Sequence, residues 1–277
     1  MKYIISDIHG CYKEYKALLE KLHLTKEDHL YILGDTVDRG PAPIKVVQDL
    51  IRRENVTYIL GNHDFLFWYF FSKKGLNLGE KNLAECDPDD LADFRSWLED
   101  GGITTAKQYF QLPAGEKAEI CKFFQKANVY ETIQDKERTY ILVHAGIAGF
   151  EENIPLEQYD FMDFIYTRAD YDKRYFQDPN IFLVTGHTPT PCIRKDSLAE
   201  IYTENGHIAI DCGCVYGGKL AAYCVHAGRP DLPGAIRTEN SIGRGSDPAC
   251  GHPAFVGGKT QGKPCGGILA GGQGNSI

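Results

Sequence analysis

Nine polar residues stand where apolar runs of this chain stop: Asp7, His9, Asp35, Asp38, Arg39, Asn62, His63, His144 and His187. Oxygen donors mixed with imidazoles suit Mn²⁺, Fe or Zn²⁺ better than Ca²⁺. The set is too large for one ion and about right for two, and a pair of ions needs a bridging carboxylate. Asp35, midway in the series, is the natural bridge. Two such ions would lower the pKa of a shared water and offset the charge of a phosphate. Each residue alone has a plainer reading, because an Asp-Gly turn or a hydrogen-bonded strand-end histidine is commonplace. Their joint placement is what argues for a site.

That placement rests on the elements that deliver them. Residues 2–6 read as a buried strand, 13–22 as a helix with Ala17, Leu18, Leu19 and Leu22 at helical spacing, and 29–33 as a second strand. A helix over 41–53, with proline near its start, leads to a third strand over 56–60. Asp7, Asp35 and Asn62 follow these strands directly, 28 and 27 residues apart, close to the roughly 30 residues of one βαβ unit. Right-handed crossovers make successive strands parallel. The three side chains therefore arrive at one sheet edge, where α/β folds take their ligands.

From 65 to 127 the pattern turns helical, over 65–71, 89–99, 104–110 and 115–127, which predicts an insertion over or beside the sheet. Its aromatics Phe65, Phe67, Trp68 and Phe71 read as packing core. Strands resume over 129–133, 138–143, 181–185, 200–203, 207–211 and 219–225, taken as a mainly antiparallel second half. The fold class is α/β, in part α+β. Residues 1–228 form the expected catalytic domain, and 229–277, rich in glycine with scattered proline, the expected disordered tail.

With 277 residues the chain can bury a substantial core as one large domain or two small ones. A formal charge of −8 argues against a nucleic-acid partner. No apolar stretch approaches the roughly 20 residues that span a bilayer, and a strand at the very start leaves no room for a signal peptide. Nine cysteines without a Cys-x-x-Cys pair read as reduced thiols. A cytoplasmic protein is expected.

The motifs Asp7-x-His9, Gly34-Asp35-x-x-Asp38-Arg39-Gly40, Gly61-Asn62-His63-Asp64, His144-Ala145-Gly146 and Gly186-His187-Thr188 resemble the ordered motifs of calcineurin-like metallophosphoesterases. Tyr166-Thr167-Arg168 and the stretch 211–218 extend the similarity to the bacterial and phage branch of PPP-type serine/threonine phosphatases, with the symmetrical diadenosine-tetraphosphate hydrolases close by. The resemblance implies a central β-sandwich of mixed sheets flanked by helices. It implies Asp7, His9 and Asp35 on one metal, and Asp35, Asn62, His144 and His187 on the second. It also implies phosphoryl contacts from Arg39 and Arg168, and His63 as general acid oriented by Asp38. The reaction would be in-line attack by a hydroxide on the metal pair.

Pro189 stands where nucleases and purple-acid-type members often carry another histidine ligand. Asp38 favours a protein phosphatase, acting on a phosphoprotein, over a hydrolase of small dinucleoside polyphosphates. Asp64 leans the other way, since many protein phosphatases carry Glu there. A non-catalytic, metal-stabilised binding module is the reading from another class, and it should have lost a ligand or the general acid; neither is missing.

Overall fold

Alternation along the strands sets the layering. Tyr3 and Ile5 of β1 (Lys2–Ile5) enter one core while Ile4 between them enters another, as the two-residue period of a strand requires. The computed structural model describes residues 1–76, 87–225 and 236–237. In it, β1 pairs in parallel with β2 (His29–Ile32), and β2 with β3 (Val56–Tyr58). The second sheet holds β4 (Tyr130–Asp135), β5 (Arg138–Val143), β6 (Ile181–Thr185) and β7 (His207–Ala209) in that order. On the other side of β1 the first sheet continues with β8 (Ala221–Val225) and the two-residue β9 (Ile236–Arg237), both antiparallel to their neighbours.

Ile4, Leu33 and Ile59 meet Tyr140, Leu142, Val184 and Ile208 between the two sheets. The outer face of the first sheet is covered by α1 (Tyr12–Leu22) and α2 (Pro43–Ile51). Tyr15, Leu18, Leu19 and Leu22 form the buried stripe of α1, and Ile44, Val46, Val47 and Leu50 that of α2. On the second sheet, Ile141, Val143 and Leu183 pack outward against Phe164 and Ile165 of α7 (Phe161–Ile165). The result is two mixed sheets flanked by helices.

The stretch expected to be an insertion contains α3 (Asn62–Trp68), α4 (Pro88–Trp97), α5 (Ile103–Phe110) and α6 (Ala114–Gln125). α3 widens into a π turn over Tyr69–Lys73, and a second wide turn, Leu98–Gly102, joins α4 to α5. Aromatic rings hold these helices together: Phe67 meets Tyr109 edge-on at 5.0 Å and Phe70 meets Phe94 at 5.1 Å. Phe67, Trp68 and Phe71 are buried there, while Phe65 is half-buried against Phe161 at 5.2 Å.

Three expectations need correction. The second sheet is not mainly antiparallel, because β5, β6 and β7 run parallel and only β4 opposes its partner there; β8 and β9 are antiparallel additions to the first sheet. The cause is connection length: β5 and β6 are joined by a long crossover carrying α7, which parallel pairing requires. Residues 200–203 do not form a strand; Tyr202 makes one isolated bridge to Ala209, with no ladder beyond it. Cys11, Cys121, Cys212, Cys214 and Cys224 form no disulfide, but Cys192 is disulfide-bonded. Of the expected tail only β9 is described, and there the chain adds to the sheet; the remainder lies outside the described residues. Among the described residues no helix is long and apolar enough to cross a membrane.

Candidate metal and phosphate site

The carboxyl ends of β1, β2, β3, β5 and β6 meet at the joint between the two sheets. Three of them, β1, β2 and β6, turn there by placing residues in the left-handed backbone region. Asp7, His9, Asp35, Asp38, Arg39 and His187 all have positive φ, between 41° and 69°. Such conformations are uncommon outside glycine and cluster at functional sites. Backbone bonds lock the turns together: Asp7 N donates to Gly34 O at 3.2 Å and His9 N to Asp35 O at 2.9 Å. Gly61 lies so close to Asp35 that a Cβ would sit 2.2 Å from Asp35 Oδ1. Only glycine fits.

Asp64, the third residue of α3, binds the two loops to each other. Its carboxylate accepts from Asp35 N at 2.7 Å, Thr36 N at 3.1 Å, Gly61 N at 3.1 Å and the Tyr58 hydroxyl at 2.7 Å. Burial, and then the nearby Asp35 charge, push its pKa up to about 6.

Asp35 lies at the centre. One donor group comprises His9, Asp35 and His63, and another Asp35, His144 and His187, each with ligand atoms within 4.8 Å of one another. His9 Nδ1 is 2.8 Å from Val37 O and His144 Nδ1 is 2.6 Å from Leu33 O. A carbonyl only accepts, so both rings donate from Nδ1 and turn Nε2 toward Asp35 Oδ2, at 3.5 and 3.4 Å. This is how ligating histidines are held in proteins. Asn62 Oδ1 lies 3.0 Å from both His144 Nε2 and His187 Nδ1. Asp7 stands outside both groups: its Oδ2 accepts from His187 N at 3.0 Å and from the Ser6 hydroxyl.

The electrostatics fit a cation between these groups. Burial disfavours charge on His144, but Asp35 outweighs it and lifts the imidazole to about 10. Asp35 is held well below the usual carboxylate range despite its burial, chiefly by His144 and His63. His9 and His187 are pushed well down, by burial first, then by Arg39 at His9 and by His144 at His187. Neutral imidazoles around an anionic carboxylate are a donor set, and the proton on His144 stands where a divalent ion would compete for the same charge.

Beside this cluster, His63 Nδ1 lies 2.7 Å from Asp38 Oδ2, both fully buried. Asp38 is held by residues of the helical stretch. Trp97 Nε1 donates to its Oδ2 at 2.6 Å, and the Thr105 hydroxyl donates to Oδ1 at 2.6 Å while accepting from Asp38 N at 2.8 Å. Arg39 reaches His9 Nε2 with Nη1 at 2.7 Å, lies over the Tyr216 ring at 5.6 Å, and pairs through Nη2 with Asp100. Arg168 is exposed and acts on the cluster through its charge, which adds to the forces disfavouring protonation of His187.

Trp97, Asp100, Thr105 and Tyr216 were not singled out by sequence reasoning. The available signal was the Gly101-Gly102 pair, which interrupts the helical pattern and marks a break with a purpose. Thr105→Val should cost roughly 1.5–3 kcal/mol of stability by denaturant unfolding, the range for hydrogen bonds to charged groups. Turnover should fall by about ten-fold or more, as for other residues that support a site from behind.

Comparison with known proteins bears on this geometry. The chain is 28% identical over 250 residues to an asymmetrical bis(5'-nucleosyl)-tetraphosphatase from Geobacillus sp. (strain WCH70), covering 79% of this chain and 88% of that one. It is 55% identical over 148 residues to a symmetrical bis(5'-nucleosyl)-tetraphosphatase from Buchnera aphidicola subsp. Schizaphis graminum, covering 53% of this chain and only 44% of that relative. A solved structure described as a candidate diadenosine tetraphosphatase superposes with a TM-score of 0.57 at 20% identity, over 87% of this chain and 94% of that one. At that identity the likeness speaks for the fold alone. The model of the calcineurin-like phosphoesterase family matches residues 3–222, most of the chain, and the protein belongs to that family of metal-dependent phosphoesterases.

Proposed function

We propose that this metallophosphoesterase hydrolyses dinucleoside polyphosphates, with residues 1–228 as its catalytic unit. The observation that carries the reading is the sharing of Asp35 between two donor groups, with His63 and Arg39 against the same cluster. Asp7, His9 and Asp35 would hold one divalent ion, and Asp35, Asn62, His144 and His187 the other. Imidazole mixed with carboxylate suits Mn²⁺, with Fe or Zn²⁺ as the other candidates. Ions bound there would offset phosphate charge and make water acidic enough to ionise near neutral pH.

The chain's own side chains divide the remaining work. Arg39, with Arg168 at the rim, binds phosphoryl oxygens through its guanidinium fork. His63 donates from Nδ1 to Asp38, so the proton it delivers to the departing oxygen leaves from Nε2. Asp38 keeps the ring in that orientation.

On sequence grounds Asp38 put a protein phosphatase first. The relatives named as tetraphosphatases weigh the other way and support the small-molecule substrate, so the order of the two readings is reversed. The protein-phosphatase reading retains one specific support, the 2.7 Å His63–Asp38 contact. Side-by-side turnover by the Mn²⁺-loaded protein separates them. The expected kcat/KM for diadenosine tetraphosphate exceeds that for a phosphoserine peptide by about ten-fold or more, a margin typical of a site shaped for its substrate. The opposite order would return the protein to the phosphatase reading.

A further inference from the structure

The turn between α4 and α5 places a carboxylate inside the phosphate site. Asp100 Oδ1 and Oδ2 each lie 3.3 Å from Arg39 Nη2, and Oδ2 lies 3.5 Å from His63 Nε2. The backbone is shaped for this approach. Arg39 N donates to Gly101 O at 3.0 Å, and Gly101 has φ +106°, which L side chains rarely adopt. A Cβ there would sit 2.6 Å from Arg39 Cγ and 2.9 Å from Arg39 N. The Thr104 hydroxyl donates to the same carbonyl at 3.0 Å.

We propose that Asp100 is a positioning residue, which holds the Arg39 guanidinium beside His63 while the rest of the fork meets phosphate. The inference rests on the roles given above to Arg39 and His63. Arg39 has three restraints: Asp100, the Tyr216 ring and the Nε2 lone pair of His9. That lone pair serves either Arg39 Nη1 or a cation, never both. Once His9 ligates, Nη1 is released for a phosphoryl oxygen, and Asp100 with Tyr216 keeps the guanidinium in place. Both carboxylate oxygens meet the single nitrogen Nη2, so Asp100 anchors that arm of the fork and leaves Nη1 to turn toward its partner. Asp100 is the more exposed partner, at 41% against 17% for Arg39, so the pair sits at the mouth of the site with arginine inward.

The opposite role is also readable in the contact: Asp100 could compete with phosphate for Arg39. Inorganic phosphate binding to the Mn²⁺-loaded full-length protein, measured by calorimetry, decides between them. Under the proposal Asp100→Asn weakens phosphate binding roughly ten-fold, the scale of one lost charge-assisted bond. KM rises in parallel, while bound manganese and the melting temperature hold and Asp100→Glu restores part of the loss. Unchanged or tighter phosphate binding overturns the proposal. Should Asp100→Asn fail to fold, Asp100→Ser takes its place. In an Arg39→Ala background either substitution should have no further effect on phosphate affinity, and an additive loss there overturns the proposal as well. Phosphate binding does not depend on which phosphoester is hydrolysed, so failure on diadenosine tetraphosphate leaves this inference standing. Absence of phosphate binding by the unaltered protein would sink both.

Discussion

Asp35→Asn is expected to empty both donor groups together. The substitution keeps the size of the side chain and removes the one negative charge that faces His9, His144 and His63 at once. Removal of a group that merely supports a ligand costs 10–100-fold in metal affinity or activity, so loss of the shared ligand should exceed about 10²-fold in both. Elemental analysis after gel filtration reads the metal, and turnover of p-nitrophenyl phosphate reads the activity. Two equivalents of tightly held manganese in the variant would contradict the bridging role. The fold should survive, because Asp35 takes its backbone bonds through its own N and O atoms to Asp64 and His9.

His63→Asn should separate chemistry from metal binding. His63 belongs by distance to the donor group of His9 and Asp35, yet its Nδ1 is committed to Asp38. If Nε2 delivers a proton, the variant retains its full metal content and loses about 10²–10⁴-fold in kcat, the usual worth of a general acid. The loss should be largest for poor leaving groups and should shrink for p-nitrophenyl phosphate, whose departing phenolate needs little protonation. Loss of manganese in proportion to activity would instead make His63 a ligand and leave the reaction without its proton donor.

Much of this arrangement was legible in the chain because it repeats. Asp7, Asp35 and Asn62 follow apolar strands at nearly equal intervals, and parallel pairing of β1, β2 and β3 carries them to one edge. His144 and His187 were recognised by their strand-end position, but their meeting was not derivable from the expected antiparallel pairing, which would send neighbouring carboxyl ends to opposite edges. The parallel pairing of β5 and β6 brings them together. The supports of Asp38 and Arg39 were not legible. Trp97, Asp100 and Thr105 lie 59 to 67 residues from Asp38 and Arg39 in the chain, and a wide helical turn unites them. No periodicity announces such a turn, and only the paired glycines mark it. The preference for a protein phosphatase ranks second for a different reason. It rested on one carboxylate, and the role proposed for Asp38 concerns how a leaving oxygen is protonated, not what the oxygen is attached to.

Six residues of the candidate site bend their backbones into the left-handed region. Asp and His tolerate that region better than most residues, yet glycine would rest there with less strain. Selection for heat resistance alone would therefore favour exchanging these side chains for hydrogen, and the fittest survivors of such a screen would be inert. Breeding a sturdier version of this catalyst requires watching turnover at every round, because its weakest joints and its working parts are the same atoms.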